Sequence, residues 1–335
     1  MNTRLTVGVL MGGPSAEHDV SLMTGSNILK TLEASGRYRI TPIVITKAGH
    51  WLYGNERVWC NPGDALMHID MVCNAMHGAF GEDGKVQQIL EHHQVPYNGS
   101  RIFASAAAFH KGIARNILCK RGLLMPRAMM VRRYGEEPYD DLAQQVFRRM
   151  PPPWVVKPVA AGSSVGVSIA RHADALAEAL RLACERDESS TGSQALAEEY
   201  IKGREITCGV LEHFNGIKHF ALPPIEICPP DTASFFNYQV KYDGSTHEIC
   251  PAEFSDAMLK KIRETAVAAH TALGCRDYSR VDMILRGIDL YVLEVNTLPG
   301  LTKESLFPKA AAAVGLSFPQ LLDHLIANAL ERRKR

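Results

Sequence analysis

The sequence predicts an α/β fold whose first part is built around a parallel sheet. Strand and helix patterns alternate through the first third: apolar runs at residues 5–10 and 40–45 enclose a helical pattern that stops near Gly36. Such alternation is typical of a parallel sheet with flanking helices. At ~150 residues per domain, a chain of 335 residues favours two domains, with three as the alternative.

Composition and charge argue against several classes of function. Lys and Arg total 37 and Asp and Glu total 36, so no overall charge would attract nucleic acid or an anionic membrane. No apolar run approaches the ~20 residues of a membrane span, and residues 1–11 have the pattern of a first strand and lack a signal-peptide cleavage site. The 8 cysteines contain no C-x-x-C pair. We therefore expect reduced thiols in a cytoplasmic protein that binds neither nucleic acid nor membrane.

The first strand leads into a Gly-rich turn at residues 12–17, and Ser15 is predicted to cap the helix that follows. That helix carries Val20, Met23 and Ile28. Open α/β sheets place ligands at strand-to-helix turns of this kind, which makes Glu17 a candidate site residue. The alternative is a first-turn carboxylate that only interacts with the helix dipole.

A second Gly-rich segment, at residues 77–84, follows a short strand at 71–73 and precedes a helix through Val86 and Leu90. His77 in this segment is a candidate ligand-binding residue or a structural hydrogen-bonding group. A break in the strand and helix pattern is predicted around residues 100–120.

The middle third contains a buried strand at residues 154–157 that ends in Lys157. A lysine in so apolar a segment is rarely buried without a partner. The Gly/Ser loop at 162–166 follows, and its free backbone N–H groups could close over phosphates. It lacks the Gly-Lys-Ser/Thr of a Walker A loop, and a strand follows it instead of a helix. An ordinary hairpin loop is the alternative.

A predicted hairpin at residues 280–296 carries the strongest chemical signal. Side chains alternate along a strand, so Arg280 and Asp282 share one face, as do Glu294 and Asn296. A three-residue turn at 287–289 would pair Asp282 with Glu294. Opposed carboxylates repel each other, and a hard cation such as Mg²⁺ would convert that repulsion into binding. The alternative is a solvated polar strand face.

Helical patterns complete the last third. One begins at Ser255 and ends at Gly274, a second covers residues 304–314, and a terminal helix carries an apolar stripe from Phe318 to Ala329. Residues 223–244 are expected to be rich in loops. The start of the 304–314 helix is a candidate anion site, because free N–H groups point out of a helix N-terminus.

Taken together, these segments closely resemble the D-alanine–D-alanine ligases of the ATP-grasp superfamily. The matching motifs occur in family order and span nearly the whole chain. They are 12–21 (GGPSAEHDVS), 74–84 (NAMHGAFGEDG), 156–158 (VKP), 162–168 (GSSVGVS), 198–205 (EEYIKGRE), 241–242 (KY), 280–282 (RVD), 294–302 (EVNTLPGLT) and 305–306 (SL).

The resemblance implies a Rossmann-like, parallel-sheet N-terminal domain at residues 1–110. A two-subdomain ATP-grasp fold would follow. Its central subdomain, at 111–205, would carry the phosphate loop, and its C-terminal subdomain, at 206–335, would carry a lid and the metal site. The implied cofactors are ATP and two Mg²⁺ ions, with Mn²⁺ as a substitute, and the implied assembly is a homodimer through the N-terminal domain.

Roles for individual residues also follow from the resemblance. Those assigned to ATP are Lys111 and Lys157 on the phosphates, Ser163 and Ser164 in the loop over them, Glu198, Glu199 and Ile201 around adenine, Glu205 on the ribose, and Lys241 in the lid. Those assigned to metal are Asp282, Glu294 and Asn296. For D-alanine, Glu17 and His77 are assigned to the first molecule, and Ser305 and the N–H of Leu306 to the second. Arg280 and the N–H of Gly300 are assigned to the tetrahedral intermediate. Tyr242, together with Glu17 and Ser163, is assigned to closing the site.

The implied activity is ATP-dependent joining of two D-alanines for peptidoglycan synthesis. Two alternatives remain at this point: a ligase with D-lactate or another second substrate, and a catalytically inactive ATP-binding regulator. The Lys241-Tyr242 pair favours the dipeptide enzyme, and the intact set of Arg280, Asp282, Glu294 and Asn296 argues against the regulator. The lid departs from the family pattern at Asn237, where Asp is more common, and Cys73 replaces an aromatic residue.

Overall fold

A computed structural model describes residues 4–162, 166–189, 192–228, 247–302 and 304–332. Over these residues the chain forms three β-sheets, which follow one another along the sequence and carry helices on their faces. The α/β class predicted from the alternating pattern is confirmed.

The first sheet has a parallel centre and an antiparallel edge. Its strands are β1 (Thr6–Gly12), β2 (Arg39–Ile45), β3 (Trp51–Tyr53), β4 (Val58–Cys60) and β5 (Met71–Asn74), in the order β4-β3-β2-β1-β5. Strand β1 pairs in parallel with β2 and β5, as predicted, whereas β3 and β4 add antiparallel pairs at one edge. That edge leaves too weak a pattern in the sequence to be predicted, because both of its strands are only three residues long.

Helix α1 (His18–Ser35) connects β1 to β2 and ends at Gly36, which adopts the left-handed conformation with φ 62°. Its N-cap residue is Glu17, not Ser15 as predicted, and Ser15 Oγ accepts a hydrogen bond from the Glu17 N–H. Of the apolar residues that this helix carries, Ile28 is buried and Met23 is exposed. Small residues such as Gly25 also face the sheet and allow the helix to pack closely on β1.

Helices α2 (Pro62–Leu66), α3 (Lys85–His92), α4 (Ile102–Phe109) and α5 (Lys111–Lys120) complete the first third. The predicted break at residues 100–120 is occupied by α4 and α5, two successive helices with no strand between them. The Ala-rich α4 shows a weak apolar periodicity, which explains why its pattern was missed. Apolar residues of α5 join the core of the third sheet.

The second sheet is antiparallel, with four strands in the order β6-β9-β7-β8. Its elements are β6 (Ala128–Arg132), α6 (Tyr139–Arg149), β7 (Trp154–Pro158), β8 (Ser168–Ala170), α7 (Ala173–Glu185) and β9 (Gln194–Glu199). Helices α6 and α7 bury their apolar faces against it, around Trp154 and Leu180. The Gly/Ser loop at 162–166 lies between β7 and β8 in the sequence. It contains Ser163 and Ser164, which are predicted to bind phosphate.

The third sheet is antiparallel, with β11 paired to β10 beside the path β13-β12-β10-β14-β15. Its elements are β10 (Arg204–Phe214), β11 (Ile217–Ala221), β12 (Ile225–Cys228), β13 (His247–Ile249), α8 (Asp256–Leu273), β14 (Tyr278–Arg286) and β15 (Asp289–Asn296), followed by α9 (Leu306–Ala312) and α10 (Phe318–Arg332). Ser255 caps α8 and Gly274 ends it, both as predicted. Strand β12 lies in the segment that was expected to be loop-rich.

The β14–β15 hairpin has the predicted register but not the predicted turn. Asp282 pairs with Glu294 and Arg280 with Asn296. The loop contains two residues, because Arg286 pairs with Asp289, and a bulge beyond Met283 then shifts the pairing by one residue. The short loop and the bulge together restore the pairing that a three-residue turn would produce.

Packing crosses between the three sheets. Leu321 and Leu325 of α10 share a core with Val7 and Val9 of β1, so the last helix of the chain covers the first sheet. The division at residues 1–110, 111–205 and 206–335 stays a prediction. Each of these segments supplies the strands of one sheet, apart from the first residues of β10.

The close approach of α1 to β1 generates a stability prediction. A Cβ at Gly25 would lie 2.6 Å from Met11 Sδ and 2.7 Å from Met11 Cβ. We expect Gly25→Ala to lower the free energy of unfolding by about 1–3 kcal/mol, since overpacking outweighs the better helix propensity of alanine. Ser26→Ala, at the neighbouring exposed position, is the control and should not destabilise the protein. A Gly25→Ala variant with an unchanged or higher urea midpoint would contradict this packing argument.

Candidate active site

The three sheets enclose one cavity of about 1200 Å³. Every predicted site residue in the described part of the chain lines it: Glu17, His77, Lys111, Lys157, Glu198, Glu199, Ile201, Glu205, Arg280, Asp282, Glu294, Asn296, Gly300, Ser305 and Leu306. The predicted loop residues Ser163 and Ser164 and the predicted lid residues Lys241 and Tyr242 lie outside the described residues. The sequence motifs therefore converge, although they are spread over nearly 300 positions.

Asp282 on β14 is the centre of a hydrogen-bonded network. Arg280 Nε and Nη2 donate to its two carboxylate oxygens at 2.9 and 2.8 Å, and Asn296 Nδ2 donates at 3.0 Å. Thr207 Oγ1 of β10 adds a bond of 2.6 Å. The expectation that Asp282 and Glu294 repel each other without a metal is therefore wrong for Asp282, because the buried Arg280 guanidinium neutralises it.

Glu294 on β15 faces Lys111, the first residue of α5. Lys111 Nζ lies 3.9 Å from Glu294 Oε2 and donates a hydrogen bond of 2.8 Å to the carbonyl oxygen of Ala161. Burial lowers the pKa of Lys111, and the Glu294 charge opposes that effect. The Glu294 side chain remains 40% exposed, so this carboxylate is the most accessible one on the hairpin face.

Lys157 has a protein carboxylate as its partner. Its Nζ lies 2.7 Å from Glu198 Oε2, and both side chains are almost fully buried. The pair joins the neighbouring strands β7 and β9. The prediction that Lys157 needs a partner is confirmed. Apolar side chains of the second sheet, Val155 and Ile169, also line the cavity, as does Leu293, the extra residue in the β15 bulge.

Glu17 lies against the two Gly-rich segments. A Cβ at Gly162 would lie 1.9 Å from Glu17 Oε2, and one at Gly78 would lie 2.7 Å from the same atom. Only glycine can occupy both positions while the carboxylate stays in place, and Gly78 additionally has φ 71°. Glu17 is 8% exposed, and its carboxylate lies close to both glycines.

His77 and Glu82 form the wall beside Glu17. Thr24 Oγ1 lies 2.9 Å from His77 Nε2, and Glu82 Oε1 accepts the Gly78 N–H at 2.9 Å. Burial and the nearby Glu17 charge raise the pKa of Glu82 from 4.5 to about 8. Glu82 was not among the predicted site residues, although it belongs to the 77–84 motif. The pKa of Glu82 depends on Glu17, which lies 65 positions away in the chain.

The far end of the cavity is formed by the start of α9. Helix α9 is shorter than the predicted 304–314 helix, and Ser305 is its N-cap residue. Ser305 Oγ accepts the Thr302 N–H at 3.1 Å and lies 2.7 Å from where a Cβ on Gly300 would stand. Lys309, which the sequence analysis missed, also lines the cavity, and its Nζ lies 2.8 Å from Glu248 Oε2.

The hairpin face fits a divalent metal of the magnesium type. Its donors are carboxylate and amide oxygens, which are the ligands that Mg²⁺ prefers. Asn296 uses its Nδ2 to bond Asp282, which leaves its amide oxygen as an acceptor. Asp282 already accepts from Arg280, Thr207 and Asn296, so it would bind a cation by sharing or exchanging these donors.

The raised pKa of Glu82 predicts a pH dependence of stability. Between pH 4.5 and about 8 the folded chain keeps a proton that the unfolded chain releases, so stability falls as pH rises through this window. The slope for one proton is at most about 1.4 kcal/mol per pH unit. In Glu82→Gln this contribution should disappear, and the variant should gain stability relative to the wild type from pH 5 to pH 8. Parallel unfolding curves for the two proteins would contradict the assignment.

Comparisons with known proteins agree on one family. Sequence models for the D-ala D-ala ligase N-terminus and C-terminus match residues 6–65 and 57–100 and residues 117–327, respectively. The D-alanine–D-alanine ligase of Syntrophobacter fumaroxidans is 41% identical, over 98% of both chains. No helix in the described part of the chain is long and apolar enough to span a membrane.

Solved structures support the same assignment. A crystal structure of the Bacillus anthracis D-alanine–D-alanine ligase complexed with ATP is 34% identical, covers 98% of this chain and 99% of its own, and has a TM-score of 0.78. The VanG D-Ala:D-Ser ligase of Enterococcus faecalis is 29% identical, covers 98% and 100%, and has a TM-score of 0.83. With family models that match most of its length and a relative this similar, the chain belongs to the D-alanine–D-alanine ligase family, whose fold is the ATP-grasp type.

Proposed function

We propose that this protein joins two molecules of D-alanine at the expense of ATP and supplies the dipeptide to peptidoglycan synthesis. The observation that carries the proposal is the single cavity in which three buried cations, Lys111, Lys157 and Arg280, stand beside the carboxylates of Glu17, Asp282 and Glu294. ATP would convert the carboxylate of one D-alanine to an acyl phosphate, and the amine of the second would displace phosphate.

Nucleotide binding is assigned to the space between the second and third sheets. Lys111 and Lys157 would contact the phosphates, because both are buried cations at the cavity wall. Glu198, Glu199 and Ile201 would surround adenine, and Glu205 would contact the ribose. The Ser163-Ser164 loop and Lys241 would close over the phosphates. Phosphoryl transfer depends on charge neutralisation and positioning, which matches this arrangement.

Metal binding is assigned to Asp282, Glu294 and Asn296, with two Mg²⁺ ions or Mn²⁺ in their place. Bound metal would supply charge stabilisation for the transferred phosphoryl group. The same carboxylates also position cationic side chains. Asp282 orients Arg280 through two hydrogen bonds. Lys111 is held near Glu294 and the Ala161 carbonyl.

Binding of the amino acids is assigned to the opposite side of the cavity. Glu17 would hold the ammonium group of the first D-alanine, and His77 would lie near its carboxylate. Arg280 and the Gly300 N–H would stabilise the oxyanion of the tetrahedral intermediate, for which buried donors are effective. Ser305 and the Leu306 N–H would bind the carboxylate of the second D-alanine. Tyr242, with Glu17 and Ser163, would help to exclude water from the acyl phosphate.

A second candidate concerns only the second substrate. The likeness to the D-Ala:D-Ser ligase of Enterococcus faecalis, with a TM-score of 0.83, makes D-serine an alternative to D-alanine at that position, besides D-lactate. The dipeptide is favoured because the sequence relatives at 34–41% identity are D-alanine–D-alanine ligases.

Assembly and location belong to the same proposal. We infer a homodimer through the N-terminal domain, and support comes from Trp59 on the edge strand β4 and Met67 after α2, whose large apolar side chains are both 68% exposed. We also infer a cytoplasmic enzyme. All eight cysteines lie in the described part of the chain, and each is a free thiol.

Product analysis tests the activity. The protein is incubated with ATP, Mg²⁺ and D-alanine, alone and with an equal amount of D-serine or D-lactate, and products are identified by mass spectrometry. We expect D-alanyl-D-alanine and one phosphate per dipeptide as the main products in every mixture. If the product that contains D-serine or D-lactate predominates, the second candidate is correct. ATP consumption that does not depend on D-alanine, with no ligated product, would refute the proposal.

The metal assignment predicts that one variant has a large effect on activity and a small effect on stability. Glu294→Gln should lower turnover at least about 100-fold, because several kcal/mol of charge stabilisation depend on the metal. The same variant should change the stability of the ligand-free protein by at most about 1 kcal/mol, since its side chain is 40% exposed.

The thermal shift caused by Mg-ATP should shrink in Glu294→Gln, because a ligand stabilises in proportion to its affinity. Asp289→Asn, an exposed position on the same strand, is the matched control and should keep activity and thermal shift. If Glu294→Gln retains both, this strand face is only solvated. Asp282→Asn should destabilise the ligand-free protein more than Glu294→Gln does, because the buried Arg280 loses its charged partner.

A further inference from the structure

A second cluster of ionisable side chains lies on the opposite face of the third sheet. Side chains alternate along β14, so Ser279 points away from the face that carries Arg280 and Asp282. Glu212 of β10 pairs directly with His219 of β11, and His270 reaches the same place from the last turn of α8. Three separate elements thus direct one carboxylate and two imidazoles to one point.

The spacing of the three ligand atoms matches a metal site. Glu212 Oε1 lies 3.4 Å from His219 Nδ1 and 3.5 Å from His270 Nε2, and the three atoms lie within 4.8 Å of one another. Bonds of about 2.1 Å to a tetrahedral metal would place two ligand atoms about 3.4 Å apart. Two of the three separations already have this value.

Two imidazole nitrogens of this cluster have no hydrogen-bond partner in the described part of the chain. His219 Nδ1 and His270 Nε2 are buried and make no hydrogen bond to any described residue, and the His270 side chain is fully buried. His270 Nδ1 lies 2.7 Å from Ser279 Oγ. If we assign the Nδ1 proton to this bond, the Nε2 lone pair faces the Glu212 carboxylate, and two acceptors in contact require a cation or a proton between them.

The groups around the cluster hold the ligands in position. Glu212 Oε2 accepts the Asp277 N–H at 2.9 Å, which leaves Oε1 directed at the imidazoles. The Ser279 hydroxyl fixes the His270 ring, as outer-sphere partners of metal-binding histidines do. His219 is 21% exposed, so an ion could reach the cluster from solvent.

We propose that Glu212, His219 and His270 form a binding site for a divalent transition metal of the Zn²⁺ type. Two imidazoles and one carboxylate suit Zn²⁺, whereas Mg²⁺ prefers oxygen ligands only. The site is separate from the catalytic cavity. Bound metal would connect the β10–β11 hairpin to α8 and would stabilise the fold without entering the reaction.

Zinc binding by the full chain tests this site. The protein is treated with a chelator, and Zn²⁺ is then titrated in competition with a chromophoric chelator, with excess Mg²⁺ present to occupy oxygen-ligand sites. We expect one equivalent with a Kd below about 1 µM and a higher thermal midpoint, since a ligand of the folded state alone stabilises it. Turnover at saturating Mg-ATP should not change.

Variants assign the ligands. His219→Asn, at a partly exposed position that should tolerate the change, should weaken Zn²⁺ binding at least about 100-fold and abolish the thermal shift. His172→Asn is the matched control, because it removes an exposed imidazole that does not belong to the cluster. His172 is the N-cap residue of α7, and asparagine is a good N-cap residue, so the helix should not be destabilised. It should bind Zn²⁺ as the wild type does. Equal loss in both variants, or no loss in either, would overturn the proposal.

Cobalt spectroscopy separates this site from the cysteines. Co²⁺ in place of Zn²⁺ should give tetrahedral ligand-field bands without a thiolate charge-transfer band, and His219→Asn should remove them. A thiolate band would mean that cysteines bind the metal, and the proposal would be wrong. No uptake of either metal would also overturn it, and a proton shared between Glu212 and His270 would then join the cluster.

Discussion

Mutual neutralisation of buried charges is the constraint on which the cavity depends. Lys157 of β7 is paired with Glu198 of β9, Lys111 of α5 faces Glu294 of β15, and Arg280 holds Asp282. A buried ion that loses its partner costs about 3–5 kcal/mol, so the Lys157–Glu198 and Arg280–Asp282 pairs hold these side chains in place within their sheets. The Lys111–Glu294 contact is weaker, because Glu294 is 40% exposed. The ion pairs that hold these side chains in place thus also concentrate charge at the wall of the cavity.

This arrangement also suggests how ligands can enter a cavity whose charges are already paired. If Glu294 passes from Lys111 to a metal, Lys111 becomes available to a phosphate, and each ion keeps a partner of opposite charge throughout. Mg²⁺ and a polyphosphate would therefore bind together more readily than either would alone, because the exchange leaves no buried charge uncompensated. The loose 3.9 Å separation of Lys111 and Glu294 suits such an exchange better than the tight Lys157–Glu198 pair does.

Local patterns predicted the parts of this site that depend on strand periodicity. The spacing of Arg280 with Asp282, and of Glu294 with Asn296, defined a shared face and the correct pairing, even though the turn is shorter than predicted and a bulge compensates. The partner of Lys157 could not be predicted in this way, because Glu198 is adjacent only through the pairing of β7 with β9. The close packing of α1 could not be predicted for a related reason: Gly25 faces β1 beside the apolar Ile28 and Leu32, and the need for a glycine there depends on the approach of Met11.

Strand β14 connects the two faces of the third sheet. Arg280 and Asp282 extend into the cavity, while Ser279 contacts His270 on the other side and Asp277, just before the strand, bonds Glu212 through its N–H. Asp277 is fully buried. Its carboxylate pairs with Arg332 of α10 and accepts the Gly99 N–H. The start of β14 is therefore also connected to α10 and to the segment before α4. Because a strand moves as a unit, whatever holds Ser279 and Asp277 also limits the displacement of Arg280. The rigidity of Arg280 is therefore set partly by contacts on the face of the sheet that is turned away from the cavity.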